Sequence, residues 1–134
     1  ERSAPSRGAG EMILLVEDDD AVRRIAATAL LANGYRVLQA ANGQRGLEVL
    51  RTTYDPIALV LTDVVMPVLD GRQMVEQAIR EVPDLKVLYT SGYTDDALDR
   101  HGLESASEHF IQKPFAPLGL ARKVRAILDQ NNRS

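Results

Sequence analysis

The segment Ile57-Ala58-Leu59-Val60-Leu61 is a continuous apolar run in the middle of the chain. Such a run is typical of a central parallel strand that other elements cover on both faces. On either side of it, further short apolar runs alternate with segments in which apolar residues recur at helical spacing. This alternation predicts strands near residues 12–16, 35–40, 57–61, 86–90 and 110–111, with helices near 22–30, 43–53, 75–82, 95–100 and 120–128.

Five strand–helix units predict an α/β fold, in which a parallel sheet carries helices on both faces. Because crossover connections are right-handed, few topologies remain, and the flavodoxin-like strand order 2-1-3-4-5 is the common one. The sequence therefore predicts a doubly wound (βα)5 sheet in a single domain over residues 12–131. Residues 1–11 hold Ser, Pro, Gly, Ala and Arg without apolar periodicity, and are predicted to be a linker or a disordered segment.

The composition excludes several classes of site. The 134 residues carry a net charge of -3, so no direct nucleic-acid binding is expected. The chain has no cysteine, which excludes disulfides, thiolate metal sites and cysteine nucleophiles. No apolar run reaches the roughly 18 residues of a membrane span, so no membrane contact by this segment is expected. A cytoplasmic location is predicted.

Polar side chains stand at the ends of four of the predicted strands. The first strand ends in Glu17-Asp18-Asp19-Asp20, the third in Thr62-Asp63, the fourth in Thr90-Ser91-Gly92 and the fifth in Gln112-Lys113-Pro114. In the order 2-1-3-4-5 these four strands are successive neighbours, and ligands bind at the carboxyl ends of such strands. We therefore expect the acids, a hydroxyl and one lysine to line a single edge, with Asp63 between the acids and the hydroxyl.

These residue types are the parts that phosphoryl transfer requires. Carboxylates held close together repel each other unless a cation is present. Oxygen ligands without histidine or cysteine favour a hard cation such as Mg²⁺, for which Mn²⁺ could substitute. Lys113 and Ser91 can donate hydrogen bonds to phosphoryl oxygens. Asp63 is then the candidate nucleophile, which becomes a mixed anhydride when it accepts the group.

The motifs at these strand ends also resemble one known family, the response regulator receiver domains of two-component signalling. They are Ile13-Leu14-Leu15-Val16-Glu17-Asp18, Asp63-Val64-Val65-Met66-Pro67 with Asp70-Gly71, Ser91-Gly92, and Lys113-Pro114-Phe115. The resemblance covers about residues 12–130. It implies that Asp63 is the phosphoacceptor, that Asp18 and Asp63 are metal ligands, and that Glu17 acts on the metal, often through water. It further implies a role for the backbone carbonyl of Val65 in the metal site, for Lys113 in catalysis, for Ser91 and Phe110 as switch positions, and a cis Lys113-Pro114 bond.

A finer resemblance concerns the parent protein. The segments Ser91 to Ala97, Arg100-His101-Gly102 and Phe110 to Phe115 are similar to receivers at the C-terminal end of hybrid sensor histidine kinases. Three features are interpreted as consistent with this origin: the linker-like start, the missing initiator methionine and the end of the chain at Ser134. The expected partners are a histidine kinase or a histidine phosphotransfer domain. Tethering to a membrane sensor kinase and a phosphorylation-dependent dimer are further options. A stand-alone response regulator and a phosphorylation-independent interaction module are the alternatives.

Two other functions fit the same fold less well. A flavin mononucleotide binder needs a Gly/Ser/Thr-rich loop after the first strand, where this chain has four acids. A haloacid dehalogenase-type hydrolase places a second Asp two residues after its nucleophile, where this chain has Val65. Asp70-Gly71 is interpreted as a turn, and His101 as a surface residue without a metal role.

The predicted mechanism is a shift between two conformations. After phosphorylation, Ser91 and Lys113 are drawn to the new oxygens and Phe110 turns inward. The surface formed by the helix near 95–100, the fifth strand and the last helix then changes. Val65 and Tyr93, which flank the phosphoryl group, offer no carboxamide or carboxylate to position water, so self-dephosphorylation is predicted to be slow.

Overall fold

A computed structural model of the chain describes residues 8–64, 66, 69–91 and 109–130, with only the backbone of Ser91. The strands are β1 (Met12–Val16), β2 (Arg36–Ala40), β3 (Leu59–Asp63), β4 (Lys86–Ser91) and β5 (Phe110–Gln112). The helices are α1 (Asp20–Ala32), α2 (Gly43–Thr52), α3 (Gly71–Glu81) and α4 (Pro117–Asp129). The helix predicted near 95–100 lies outside the described residues.

The five strands form one parallel sheet in the order β2-β1-β3-β4-β5, which confirms the predicted topology. β3 lies two residues further along the chain than the apolar run that predicted it. It runs from Leu59 to Asp63, so the strand ends in Thr62 and Asp63, as predicted. Asp63 is in register with Thr90 of β4, and Ser91 is in register with Gln112 of β5.

The core consists of two apolar layers, one on each face of the sheet. Successive side chains of a strand point to opposite faces, so Ile13 and Leu15 join one layer, and Leu14 and Val16 the other. Buried residues of α1 and α4 complete the first layer, and buried residues of α2 and α3 complete the second. β1 and β3 are buried over their whole length. The two central strands are thus held between layers, which fixes the edge where they end.

The predicted linker is packed against the domain where it is described. The amide of Gly8 donates to the carbonyl of Asn33 (2.6 Å), and that of Gly10 donates to the carbonyl of Gly34 (2.9 Å). Glu11 forms an ion pair with Arg125 of α4 (2.9 Å). Residues 8–11 therefore contact the α1–β2 turn and the last helix, while the domain limits as such stay a prediction.

Within the part of the chain that the structure describes, no helix is long and apolar enough to cross a membrane.

Candidate functional site

Three of the predicted site residues meet at the carboxyl edge of the sheet. Glu17 follows β1, Asp63 ends β3 and Lys113 follows β5. The ammonium nitrogen of Lys113 lies 3.0 Å from Glu17 Oε1 and 2.8 Å from Asp63 Oδ1. Glu17 is 3% exposed and Asp63 is 5% exposed, so both carboxylates are almost removed from water. The lysine thus bridges two buried acids, as charges in such a place require a partner.

Thr90 is a site residue that the sequence did not single out. Its hydroxyl donates a hydrogen bond to Asp63 Oδ1 (2.8 Å), and the residue is buried. Thr90 and Ser91 are adjacent hydroxyl residues at the end of one strand, and the resemblance selects Ser91. Only the register of β3 with β4 places Thr90 opposite Asp63, and register could not be read from the sequence.

Burial and the neighbouring Asp63 carboxylate raise the pKa of Glu17 from 4.5 to about 7. The loss of hydration is the larger cause, because it disfavours the charged form. The backbone amide of Asp19 donates to Glu17 Oε2 (3.0 Å) and offsets part of this effect. Hydrogen bonds from Lys113 to the two carboxylates raise the pKa of the lysine, although its own partial burial lowers it.

The three acids can approach a common ion. Glu17, Asp18 and Asp63 each offer a carboxylate oxygen, and these oxygens lie within 4.8 Å of one another. Two of the acids are buried and Asp18 is exposed, so the group opens to solvent on one side. An all-oxygen set with an open side fits Mg²⁺, which prefers oxygen ligands and keeps several waters. The receiver domains that the sequence motifs resemble generally use Mg²⁺ at an acidic pocket of this kind.

The acidic loop after β1 is fixed by its own hydrogen bonds. The side chain of Asp19 accepts from the amides of Ala21 and Val22 and so caps α1. Arg23 donates to the carbonyl of Glu17 (2.7 Å) and pairs with Asp20. These contacts hold the backbone that presents Glu17 and Asp18.

Asp70-Gly71 does more than form a turn. Asp70 caps α3 in a capping box with Gln73. A β-carbon on Gly71 would overlap the carbonyl oxygen of Asp63 and lie 2.9 Å from its carbonyl carbon. The amide of Gly71 also donates to the carbonyl of Val64 (2.9 Å). The start of α3 is therefore pressed against the backbone of the candidate acceptor, which only a residue without a side chain permits.

Several predicted residues cannot be placed in this site. Val65, Tyr93 and His101 lie outside the described residues, as does the side chain of Ser91. Phe110 lies on β5 and packs against Tyr89, with ring centroids 5.6 Å apart. It is already buried, whereas the sequence predicted an inward turn only after phosphorylation. The Lys113-Pro114 peptide bond is cis, as the resemblance implies.

We expect the metal-free protein to become less stable as the pH rises from about 5 to about 7. Between these values folded Glu17 holds a proton that the unfolded chain releases, because its pKa is about 7 when folded and 4.5 in the open chain. The bound proton stabilises the folded protein fully below the pKa of the unfolded chain. This contribution, up to about 3 kcal/mol, is lost as the pH rises through the pKa of the folded protein. Urea unfolding in chelator across this range measures it. In Glu17→Gln the slope should flatten, and an unchanged slope in that variant would contradict the assignment.

Comparison with known proteins identifies the family of the chain. The family model for the response regulator receiver domain matches residues 13–125. Sensor kinase CckA of Brucella abortus is 38% identical over 120 residues, covering 90% of this chain and 13% of that protein. The response regulator receiver protein CpdR of Brucella abortus is 34% identical over 116 residues, covering 87% of this chain and 95% of CpdR. The crystal structure of the receiver domain from hybrid histidine kinase CckA superposes with a TM-score of 0.70 at 34% identity, covering 87% of this chain and 98% of that one. The chain belongs to the response regulator receiver domain family of two-component signalling.

Proposed function

We propose that this chain accepts a phosphoryl group on Asp63 from the phosphohistidine of a histidine kinase or a histidine phosphotransfer domain. The observation that carries this proposal is the buried pair of carboxylates bridged by Lys113. Two adjacent buried acids repel each other and so destabilise the folded protein, and for this reason such a pair is typical of a functional site. The family membership of the chain supports the same role, because receiver domains interact with these partners.

In the proposed reaction an oxygen of Asp63 forms a bond to phosphorus while the bond from phosphorus to the histidine nitrogen breaks. The electron pair of that bond remains on the imidazole ring. Lys113 is held within 2.8 Å of Asp63 Oδ1, so its charge is close to where the phosphoryl oxygens arrive. A fixed positive charge at that place stabilises the charge of the transferring group.

Glu17, Asp18 and Asp63 would hold Mg²⁺, or Mn²⁺ in its place, with the backbone carbonyl of Val65 as a further ligand. The metal would neutralise the charge of the carboxylates and of the incoming phosphoryl oxygens. Its binding would also remove the repulsion between Glu17 and Asp63 that the metal-free protein balances through Lys113.

The proposed output is a change in the surface around β5. Ser91 and Lys113 move toward the phosphoryl oxygens, and Phe110 responds through its packing against Tyr89. Since Phe110 is already buried, we propose a change in how this ring packs instead of an inward turn. A phosphorylation-dependent dimer through this surface, together with α4, remains part of the proposal, as does slow self-dephosphorylation.

We further propose that the chain is a receiver of a hybrid sensor histidine kinase, located in the cytoplasm and tethered to a membrane sensor. The similarity to sensor kinase CckA, at 38% identity, favours this parent. A stand-alone regulator is the second candidate, favoured by the similarity to CpdR, of which the chain spans 95%. The reading frame upstream of Glu1 decides between them, since codons for a kinase domain there would establish the first. A phosphorylation-independent module is the least favoured reading, because Glu17, Asp63 and Lys113 are all in place.

Incubation of the purified chain with acetyl phosphate and Mg²⁺ tests the phosphoacceptor role. Intact mass spectrometry should find one added phosphoryl group, and chelation of the metal should prevent it, because the carboxylates would then repel the donor. Asp63→Asn should take up none. An adduct that forms equally well in Asp63→Asn would refute the role of Asp63.

A further inference from the structure

Thr90 connects β4 to the candidate acceptor at two points. Its side-chain hydroxyl donates to Asp63 Oδ1 (2.8 Å), and its backbone carbonyl accepts from the amide of Val64 (3.0 Å). Thr90 is 3% exposed. If its hydroxyl is removed, water therefore does not take its place as the donor to Asp63. The end of β3 is thus tied to β4 through both side chain and backbone.

The hydroxyl of Thr90 and the ammonium of Lys113 bind the same oxygen. Both lie 2.8 Å from Asp63 Oδ1. A carboxylate oxygen has two lone-pair directions, so these two donors occupy Oδ1. Neither the hydrogen bond from Thr90 nor the ion pair with Lys113 reaches Asp63 Oδ2. One oxygen of the acceptor is therefore anchored, which also fixes the direction of the other.

We propose that Thr90 is a positioning residue for phosphoryl transfer, whose hydroxyl fixes the rotation of the Asp63 carboxylate about its Cβ–Cγ bond. This inference rests on the proposed function of Asp63 as acceptor. In-line attack on phosphorus needs a defined direction of the attacking oxygen, and small displacements lower such rates considerably. Thr90 supplies that direction from a strand in the middle of the sheet, where the backbone is held by pairing on both sides.

The two donors have different tasks during the transfer. The positive charge of Lys113 stabilises the phosphoryl oxygens, so the ammonium cannot bind the Asp63 carboxylate as closely once the phosphoryl group arrives. The hydroxyl of Thr90 is neutral, and oxygens of a carboxylate and of an acyl phosphate both accept hydrogen bonds. The hydroxyl can therefore keep Asp63 oriented while the ammonium of Lys113 moves toward the phosphoryl oxygens. This applies throughout formation of the O–P bond and cleavage of the P–N bond.

A purely structural explanation has to be separated from this proposal. β-Branched residues are common in strands, and Thr90 could serve only as a buried residue of suitable shape. Thr62 offers a matched comparison, because it is also buried at the end of a central strand. Its hydroxyl donates to the backbone carbonyl of Asp63 (3.0 Å) and not to the carboxylate.

The test compares rates of phosphoryl uptake from acetyl phosphate at saturating Mg²⁺, over a range of donor concentrations. Thr90→Val keeps the branched shape and removes the hydroxyl, and Thr90→Ala is a second hydroxyl-free variant in case the first does not fold. We expect the maximal rate of both to fall by about tenfold, since a hydrogen bond to a charged group has that order of effect. The half-saturating donor concentration should not change. Thr90→Ser should stay within about threefold of the wild type, and Thr62→Val within about twofold, because both retain the contact to the carboxylate.

Each outcome decides the proposal. Wild-type rates in the hydroxyl-free variants would overturn it, and so would a Thr90→Ser variant as slow as they are, because shape would then be the cause. An equal loss in Thr62→Val would point to general loosening of the sheet edge and would also overturn it. A wild-type chain that takes up no phosphoryl group would refute the proposed function itself, a result distinguishable from all of these.

Discussion

Replacement of Lys113 by methionine is expected to destabilise the metal-free protein by about 3 kcal/mol at neutral pH, the order found when one partner of a buried ion pair is removed. The ammonium lies 3.0 Å from Glu17 and 2.8 Å from Asp63, and both acids are buried. Without it, two carboxylates face each other in a poorly hydrated place. Urea unfolding in chelator measures the loss, and added Mg²⁺ should restore part of it by supplying the missing positive charge.

The same variant should take up phosphoryl groups from acetyl phosphate about a hundredfold more slowly, since a preorganised charge at the transferring group has that order of effect. Lys123→Met is the matched control, because it removes the same charge from α4, whereas the ion pairs of Glu17 and Asp63 are formed by Lys113. It should leave both stability and uptake close to the wild type. Equal losses in the two variants would mean that net charge, and not the bridge between the two acids, is responsible.

Replacement of Gly71 by alanine is expected to destabilise the protein by about 3 kcal/mol or more, at the upper end of overpacking effects. The added β-carbon would overlap the carbonyl oxygen of Asp63, which belongs to the rigid end of a central strand. Either α3 or the end of β3 has to shift. Because Asp63 lies at this contact, phosphoryl uptake should fall together with stability.

Gly119→Ala tests the same change where there is space. Gly119 lies in α4, and a β-carbon there meets nothing within 4 Å. Alanine is a better helix former than glycine, so this variant should be stabilised by up to about 1 kcal/mol. Chemical unfolding of both variants provides the comparison. If Gly71→Ala were as stable as Gly119→Ala, the close approach of α3 to Asp63 would not exist in solution.

The fold could be predicted from hydrophobic patterning because its strands are buried on both faces. The run at 57–61 indicated a central strand, and the alternation of strands and helices left the observed order as the common choice. The start of β3 was less accurate, because the apolar run begins at Ile57 and the strand at Leu59. The predicted end of the strand at Thr62 and Asp63 is confirmed, and both residues pair with β4.

The candidate site could be predicted only as far as strand order determines it. The meeting of Glu17, Asp63 and Lys113 follows from neighbouring strand ends. The role of Thr90 could not be predicted, because it depends on the register between β3 and β4. The contact of Gly71 with Asp63 was missed for a similar reason. An Asp-Gly pair is typical of a turn, and its packing against a distant strand end leaves no local pattern.

The central claim is that Asp63 itself becomes an acyl phosphate, and borohydride trapping tests it most directly. Borohydride reduces an acyl phosphate to an alcohol, so a phosphorylated aspartate becomes homoserine, which peptide mass mapping locates. After treatment with acetyl phosphate and Mg²⁺, we expect homoserine at position 63 and none when the metal is chelated. Homoserine at position 18 instead, or an unmodified Asp63 in a chain that carries a phosphoryl group, would contradict the account.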